Sequence, residues 1–92
     1  MSQRPELSDN EIQVCIHLVK VKINVRLREK HRGAYAGNHE TYGILAEEFN
    51  KELLDALHAK NNEKFFDELI DIAVGAILGM ASMEANGRKA GE

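Results

Sequence analysis

Four acidic side chains in the second half of the chain have types and spacings that suit metal chemistry. Glu48 and Glu52 are four residues apart, and Glu68 and Asp71 are three residues apart. On a helix, either spacing places both carboxylates on one face, about one turn from each other. Carboxylate oxygens are the ligands that magnesium prefers, together with water and substrate phosphates. The four acids therefore predict a site for one or two magnesium ions.

The two acidic pairs can meet only if their helices pack side by side. A polar break at residues 59–62, Ala-Lys-Asn-Asn, separates two helical patterns and favours an antiparallel hairpin. Counted from this break, the pairs differ in height by only about 2 Å at a rise of about 1.5 Å per residue. Packed helix axes lie roughly 8–10 Å apart. Carboxylates reaching inward from both helices could therefore share a cation.

A long first helix is predicted before the hairpin. Ser8-Asp9-Asn10-Glu11 has the form of a capping box, which marks a helix start. Residues 19–28 alternate apolar and polar side chains, as a strand does, but their apolar residues also recur at helical spacing. No turn signal interrupts the segment and no second strand is evident. We therefore predict one helix over residues 9–30.

The hairpin itself is predicted as two helices. Asn38 can cap a helix over about residues 39–58, and Asn61 or Asn62 can cap another that ends near Met83. Large apolar side chains at helical spacing define the expected core faces. These are Tyr42, Leu45, Ala46, Phe49, Leu53 and Leu57 on the first arm, and Phe66, Leu69, Ala73, Ile77 and Met80 on the second.

Composition favours a small all-α domain. The chain has 92 residues, one proline and no tryptophan, and a chain this short buries a modest core. We expect a single all-α domain over residues 1–92, with loose tails at 1–7 and 84–92. The long N-terminal helix would pack on the antiparallel hairpin, and dimerisation would complete a helical bundle. Two apolar stripes on the first helix favour this homodimer or a higher homo-oligomer.

The single cysteine, Cys15, and the absence of a leader pattern favour a cytoplasmic location. The apolar run at residues 72–83 is shorter than the ~20 residues that span a bilayer. We therefore expect no membrane association.

Charge is segregated along the sequence. Residues 19–32 hold six basic residues and one acid, whereas residues 40–71 hold nine acids and three lysines. The two halves could neutralise each other across helix contacts, or some cations could hold nucleotide phosphates. Lys20, Asn24 and Arg28 share one face of the first helix and are candidates for substrate binding. The net charge of −3 and the few aromatic residues argue against nucleic acid as a partner.

Residues 39–49, His-Glu-Thr-Tyr-Gly-Ile-Leu-Ala-Glu-Glu-Phe, followed by Glu68-Leu69-Ile70-Asp71, resemble the MazG-like family of all-α nucleoside triphosphate pyrophosphohydrolases. The resemblance covers about half of the chain. It implies a helical dimer that uses magnesium, or manganese in its place, to split an NTP or dNTP into monophosphate and pyrophosphate. Glu48, Glu52, Glu68 and Asp71 would hold the metal, and Glu47 and Glu48 would be the catalytic pair, with Glu47 either supporting the metal ligands or acting as the base that positions water.

The sequence departs from the family pattern at one position. If Glu47 and Glu48 are aligned with the paired glutamates of the motif, Lys51 stands where the third glutamate is expected and Glu52 is displaced by one residue. If Glu52 is aligned with the third glutamate instead, Phe49 stands at the second, so neither alignment keeps all the acids. Lys51 is a further candidate for substrate binding, but it could also occupy the place of a cation and neutralise the acids. An alternative function therefore stays open, in which the same helical dimer lacks catalysis and acts as a binding or interaction module.

Overall fold

The computed structural model describes residues 4–87, and all regular structure within that range is helical. The all-α prediction is confirmed. The elements are α1 (Asp9–Lys30), α2 (Asn38–Glu47), a π-helical turn (Glu48–Leu53), α3 (Leu54–His58) and α4 (Asn62–Asn86). The backbone at Glu47, Glu48 and Leu54 stays in the right-handed helical region, so α2, the π-helical turn and α3 form one continuous arm. Together with α4 they make a helical hairpin.

The start of α1 follows from its capping box. The backbone N–H of Glu11 donates to Ser8 Oγ at 3.1 Å, and the backbone N–H of Ser8 donates to Glu11 Oε1 at 2.9 Å. Two of the unpaired amide groups at the helix start are satisfied in this way. The predicted bounds of α1 are confirmed, and its alternating segment is helical.

The hairpin turn combines the end of one helix with the start of the next. The N–H of Asn61 donates to the Ala56 carbonyl and the N–H of Lys60 donates to the Leu57 carbonyl, each at 3.1 Å. This pattern is a Schellman motif, with Lys60 in the left-handed conformation at φ 56°. Asn61 Oδ1 then accepts from the N–H of Lys64 at 3.1 Å, so Asn61 caps α4 as predicted.

The start of α2 differs from the prediction. Its N-cap is Gly37, with no side-chain hydrogen bond to the helix, and Asn38 is already its first helical residue. The sequence between α1 and α2 is instead held by α4. Ser82 Oγ accepts from the N–H of Tyr35 at 2.9 Å, and Asn86 Nδ2 donates to the Tyr35 carbonyl at 3.0 Å.

The buried face of the hairpin is not the one expected from its large side chains. Tyr42 is 75% exposed, and the other exposed members of the two predicted faces are Phe49, Leu57, Phe66, Leu69, Ile77 and Met80. Among the described residues, the buried apolar side chains are Leu53, Ala56 and Val74. Leu53 is thus buried as predicted, and Leu45, Ala46 and Ala73 are half-buried, but the prediction of the core faces was wrong for the seven exposed side chains.

Close approach of α4 to α2 explains which face is buried. Gly75 lies against Leu45, where an added Cβ would be 3.1 Å from Leu45 Cδ2, and Gly79 lies against the side chain of Thr41. Small residues let the helix backbones come near each other. The large apolar side chains are then left at the sides of the contact.

α4 also extends beyond its predicted end. It runs to Asn86, so residues 84–86 of the expected tail are helical. Ser82 and Asn86 in this last part of the helix contact Tyr35 in the loop before α2. Residues 1–3 and 88–92 of the predicted tails lie outside the described range. Between residues 4 and 87, no helix has both the length and the apolar character needed to cross a membrane.

Candidate metal centre

Three of the four predicted metal ligands come together between the two arms of the hairpin. One carboxylate oxygen from each of Glu48, Glu68 and Asp71 lies within 4.8 Å of the other two. Glu48 projects from the π-helical turn, and the other two lie one turn apart on α4. Glu68 is only 7% exposed, while Glu48 and Asp71 are half-buried. We call these three residues the acidic cluster.

Crowding and burial disfavour the charged forms of the acidic cluster. Burial raises the pKa of Glu48 above its ordinary value, the negative charges of Asp71 and Glu52 raise it further, and Arg26 opposes the change. Burial also raises the pKa of Glu68, assisted by the charge of Glu48 and by a hydrogen bond with Asp71. Lys64 opposes this second shift. A nearby cation would therefore favour full ionisation of the cluster.

Two oxygens of the acidic cluster have no hydrogen-bond donor. Within residues 4–87, Glu48 Oε2 and Asp71 Oδ1 are buried polar atoms without a hydrogen-bond partner. Buried polar atoms normally have such partners, because leaving one unpaired costs about 1–3 kcal/mol. Oxygens placed this way are the donor set that a hard cation such as magnesium takes. The residues present thus fit the predicted metal.

Two cations of α1 approach the acidic cluster. Lys22 Nζ lies 3.7 Å from Asp71 Oδ1, and Arg26 Nη2 lies 4.0 Å from the same oxygen. Both distances are longer than a hydrogen bond. Lys22 and Arg26 therefore reduce the local negative charge but do not donate a hydrogen bond to Asp71 Oδ1. Lys22 and Arg26 are four residues apart and share one face of α1.

Sequence reasoning selected a different face of α1 for substrate binding. The side chains of Lys20, Asn24 and Arg28 are not among those that pair with the cluster, and the ion pairs are made by Lys22 and Arg26. The same four-residue spacing occurs on both faces, so spacing could not distinguish them. The two faces can be distinguished only when it is known which of them packs toward α4.

The remaining predicted residues lie around the cluster. Glu47 and Lys51 are exposed. Glu52 is outside the group of three, and its Oε2 lies 3.9 Å from Lys64 Nζ on α4. Glu48 and Glu52 both belong to the π-helical turn, where the backbone hydrogen bonds run from residue i to i+5, so the regular α-helical geometry assumed for their spacing does not apply there. Leu53, the last residue of this turn, is buried.

Comparison with known proteins gives no relative for this chain. No family model, no curated protein and no solved structure matches it significantly. The resemblance to the MazG-like family therefore stays a prediction that rests on the residues of the motif.

Proposed function

We propose that this protein is a magnesium-dependent nucleotide pyrophosphohydrolase that splits an NTP or dNTP into monophosphate and pyrophosphate. The observation that supports it is the convergence of Glu48, Glu68 and Asp71, with two buried oxygens that lack donors, beside two cations of α1. Such a combination suits a substrate that carries both a metal and phosphate groups. Manganese is the expected substitute for magnesium.

The residues divide into two roles in this proposal. Glu48, Glu68 and Asp71 would hold the metal, which when bound polarises phosphoryl oxygens and lowers the pKa of water. Lys22 and Arg26 would turn from Asp71 to the phosphate oxygens, with which an arginine can form two parallel hydrogen bonds. Glu47 is exposed beside the cluster and is the candidate for positioning the attacking water.

A second candidate function is a binding or interaction module of the same fold without catalysis. The observation that favours it is the position of Glu52, which pairs with Lys64 outside the acidic cluster. Lys22 and Arg26 already offset part of the negative charge of the cluster, as a purely structural ion-pair group would. Both candidates are proposed for a homodimer in the cytoplasm.

The deciding experiment is a scan of canonical, deaminated and oxidised NTPs and dNTPs with magnesium, followed by chromatography of the products. The parent chain should release monophosphate and pyrophosphate. Glu68→Gln should abolish this activity, while Glu63→Gln, which changes an exposed glutamate on the same helix, should retain it. Lys51→Glu places a glutamate at the third position of the motif and tests whether this restores or increases activity.

Thermal melting separates the two candidates when no hydrolysis is found. A metal that binds only the folded protein stabilises it by about 2.7 kcal/mol at a hundredfold excess over Kd. A rise in Tm with magnesium or manganese that Glu68→Gln removes would show a working metal site whose substrate is still to be found. No rise with either metal, together with no hydrolysis, would favour the interaction module.

A further inference from the structure

Two positive side chains of α1 share one oxygen of the acidic cluster. Lys22 Nζ and Arg26 Nη2 both approach Asp71 Oδ1, which is buried and receives no hydrogen bond. Arg26 also opposes the rise that burial causes in the pKa of Glu48, so its charge reaches the other arm of the hairpin. Positive charges this close disfavour the arrival of a divalent cation. The contact with α1 therefore lowers the affinity of the empty cluster for a metal.

The contact between α1 and the cluster is weak enough to be exchanged. The side chain of Lys22 is 45% exposed and that of Arg26 is 26% exposed. Ion pairs between partly exposed groups are worth at most about 1 kcal/mol. Among the helices of residues 4–87, α1 packs on α4 and not on the other arm of the hairpin, and it contributes no buried residue. Turning either cation away from Asp71 therefore costs little.

A phosphate group beside α1 would be a better partner for both cations than Asp71 Oδ1 is. Arginine can form two parallel hydrogen bonds with phosphate oxygens, and lysine binds phosphate as a compact charge. Neither Lys22 nor Arg26 donates a hydrogen bond to Asp71 Oδ1, since both distances are too long. Once the cations turn to a phosphate, Asp71 regains the negative charge that they had offset.

We propose that Lys22 and Arg26 couple the two ligands of the site, so that the acidic cluster binds a metal weakly until a phosphate group engages α1 and more tightly afterwards. By thermodynamic reciprocity, the metal raises the affinity for phosphate by the same factor. The site would thus accept a nucleotide together with its metal and hold little metal on its own. This inference rests on the proposed function and adds a regulatory role for α1.

A direct attraction between phosphate and metal would also produce coupling, and Lys22→Gln separates the two causes. Direct attraction does not pass through Lys22, so the factor by which phosphate tightens metal binding would be the same in the variant. If Lys22 carries the coupling, the variant should bind the metal alone more tightly than the parent does. It should then gain less from phosphate.

Calorimetric titration of the full chain with magnesium measures both quantities. Each protein is titrated without phosphate and with saturating inorganic phosphate, and free concentrations are corrected for the complex that the two ions form in solution. In the parent, phosphate should lower the Kd for magnesium about tenfold, an ordinary size for coupling between sites. In Lys22→Gln the Kd without phosphate should fall about threefold, and the coupling should shrink by the same factor. Arg26→Gln should change both values in the same direction.

Two control variants define what the titration reports. Lys30→Gln removes an exposed positive charge from the last turn of α1 and should keep the coupling of the parent. Glu68→Gln should weaken magnesium binding in both conditions, which shows that the measured heat comes from the acidic cluster. Equal coupling in the parent, Lys22→Gln and Arg26→Gln would overturn the inference. A loss of coupling in Lys30→Gln as large as in Lys22→Gln would overturn it too.

The titration and the assay of hydrolysis can fail independently. Hydrolysis of a nucleotide by a parent chain whose coupling survives Lys22→Gln would leave the enzyme standing and reject the role of α1. Coupling that is lost in Lys22→Gln, without hydrolysis of any nucleotide, would support the role of α1 and count against the proposed enzyme alone.

Discussion

Lys22 Nζ lies 3.7 Å from Asp71 Oδ1, so the first helix brings a positive charge to the acidic cluster built by the hairpin. The side chain of Asp71 is 22% exposed, and Arg26 approaches the same oxygen. Both cations therefore lie beside an oxygen that the proposed metal would bind. Lys22 and Arg26 thus compete with a bound metal for Asp71.

This competition predicts that one substitution lowers the stability of the metal-free protein and raises its affinity for magnesium. Lys22→Gln removes a cation from the cluster, so the metal-free protein should lose up to about 1 kcal/mol of stability, the size of a partly exposed ion pair. Magnesium should bind the variant more tightly, because less positive charge opposes it. Tm measured with EDTA and with magnesium checks both effects. Lys30→Gln, an exposed change on the same helix, should alter neither, and an equal metal response in all three proteins would contradict the competition.

The raised pKa values of Glu48 and Glu68 predict how stability depends on pH. Folding raises both above 4.5, the ordinary value, so the folded protein binds these protons more tightly than the unfolded chain. Their stabilisation is present below about pH 4.5 and is lost as the pH rises through the folded-state pKa. Glu68→Gln cannot lose a proton, so it should gain stability relative to the parent as the pH rises.

Urea unfolding of the metal-free protein at a series of pH values measures this difference. Glu63→Gln is the matched control, because Glu63 is exposed on α4 and its substitution should leave the profile parallel to that of the parent. A constant difference between Glu68→Gln and the parent across the pH range would contradict the prediction.

The contact between Gly79 and Thr41 predicts a steric effect. A Cβ at Gly79 would overlap Thr41 Cγ2, so Gly79→Ala should destabilise the hairpin although alanine favours helices by about 1 kcal/mol over glycine. We expect a net loss of about 1–3 kcal/mol, as in other overpacked contacts. Thr41→Ala in the same chain should recover most of it, which chemical denaturation would show. If the double variant is as unstable as Gly79→Ala alone, the overlap is not the cause.

The left-handed backbone at Lys60 predicts a stabilising change. A residue with a Cβ at φ 56° carries a steric cost that glycine avoids. Lys60→Gly should raise the free energy of unfolding by about 0.5–1 kcal/mol after the entropy of the unfolded chain is included. Lys60→Ala separates the backbone effect from loss of charge and should stay close to the parent. The comparison needs only urea midpoints of the three proteins.

The hydrogen bonds of Ser82 predict the cost of releasing the loop before α2. Ser82 is buried, accepts from the Tyr35 N–H and donates to the Leu78 carbonyl at 2.7 Å. Ser82→Ala leaves the Tyr35 amide unpaired in a part-buried place and should cost about 1–3 kcal/mol. Asn86→Ala removes an exposed hydrogen bond to the same residue and should cost less than about 1 kcal/mol. Hydrogen exchange at the Tyr35 amide should be faster in Ser82→Ala than in Asn86→Ala.

The elements were predictable where a local signal sufficed. The capping box of Ser8 and Glu11 marked the start of α1, and Asn61 marked the start of α4. The acidic cluster was partly predictable, since the three-residue spacing of Glu68 and Asp71 holds on a regular helix. Each of these signals acts within one or two turns of the chain.

What failed depended on contacts between helices. Either of two faces of α4 could be buried. The face with the small residues Gly75 and Gly79 packs on α2, although the other face carries larger apolar side chains. The same uncertainty on α1 hid the roles of Lys22 and Arg26, because rotation of a helix about its axis is set by packing and not by its own sequence.

The π-helical turn at Glu48–Leu53 lies between two α-helical parts of one arm, so the regular α-helical spacing of residues is interrupted there. It holds one residue more per hydrogen-bonded turn than an α-helix does. Residues before and after it therefore cannot both match a pattern that assumes regular spacing, and a gap of one position is needed to superimpose them. For this chain, a motif written as a fixed number of residues between its glutamates describes the sequence of the arm but not the arrangement of its side chains in space.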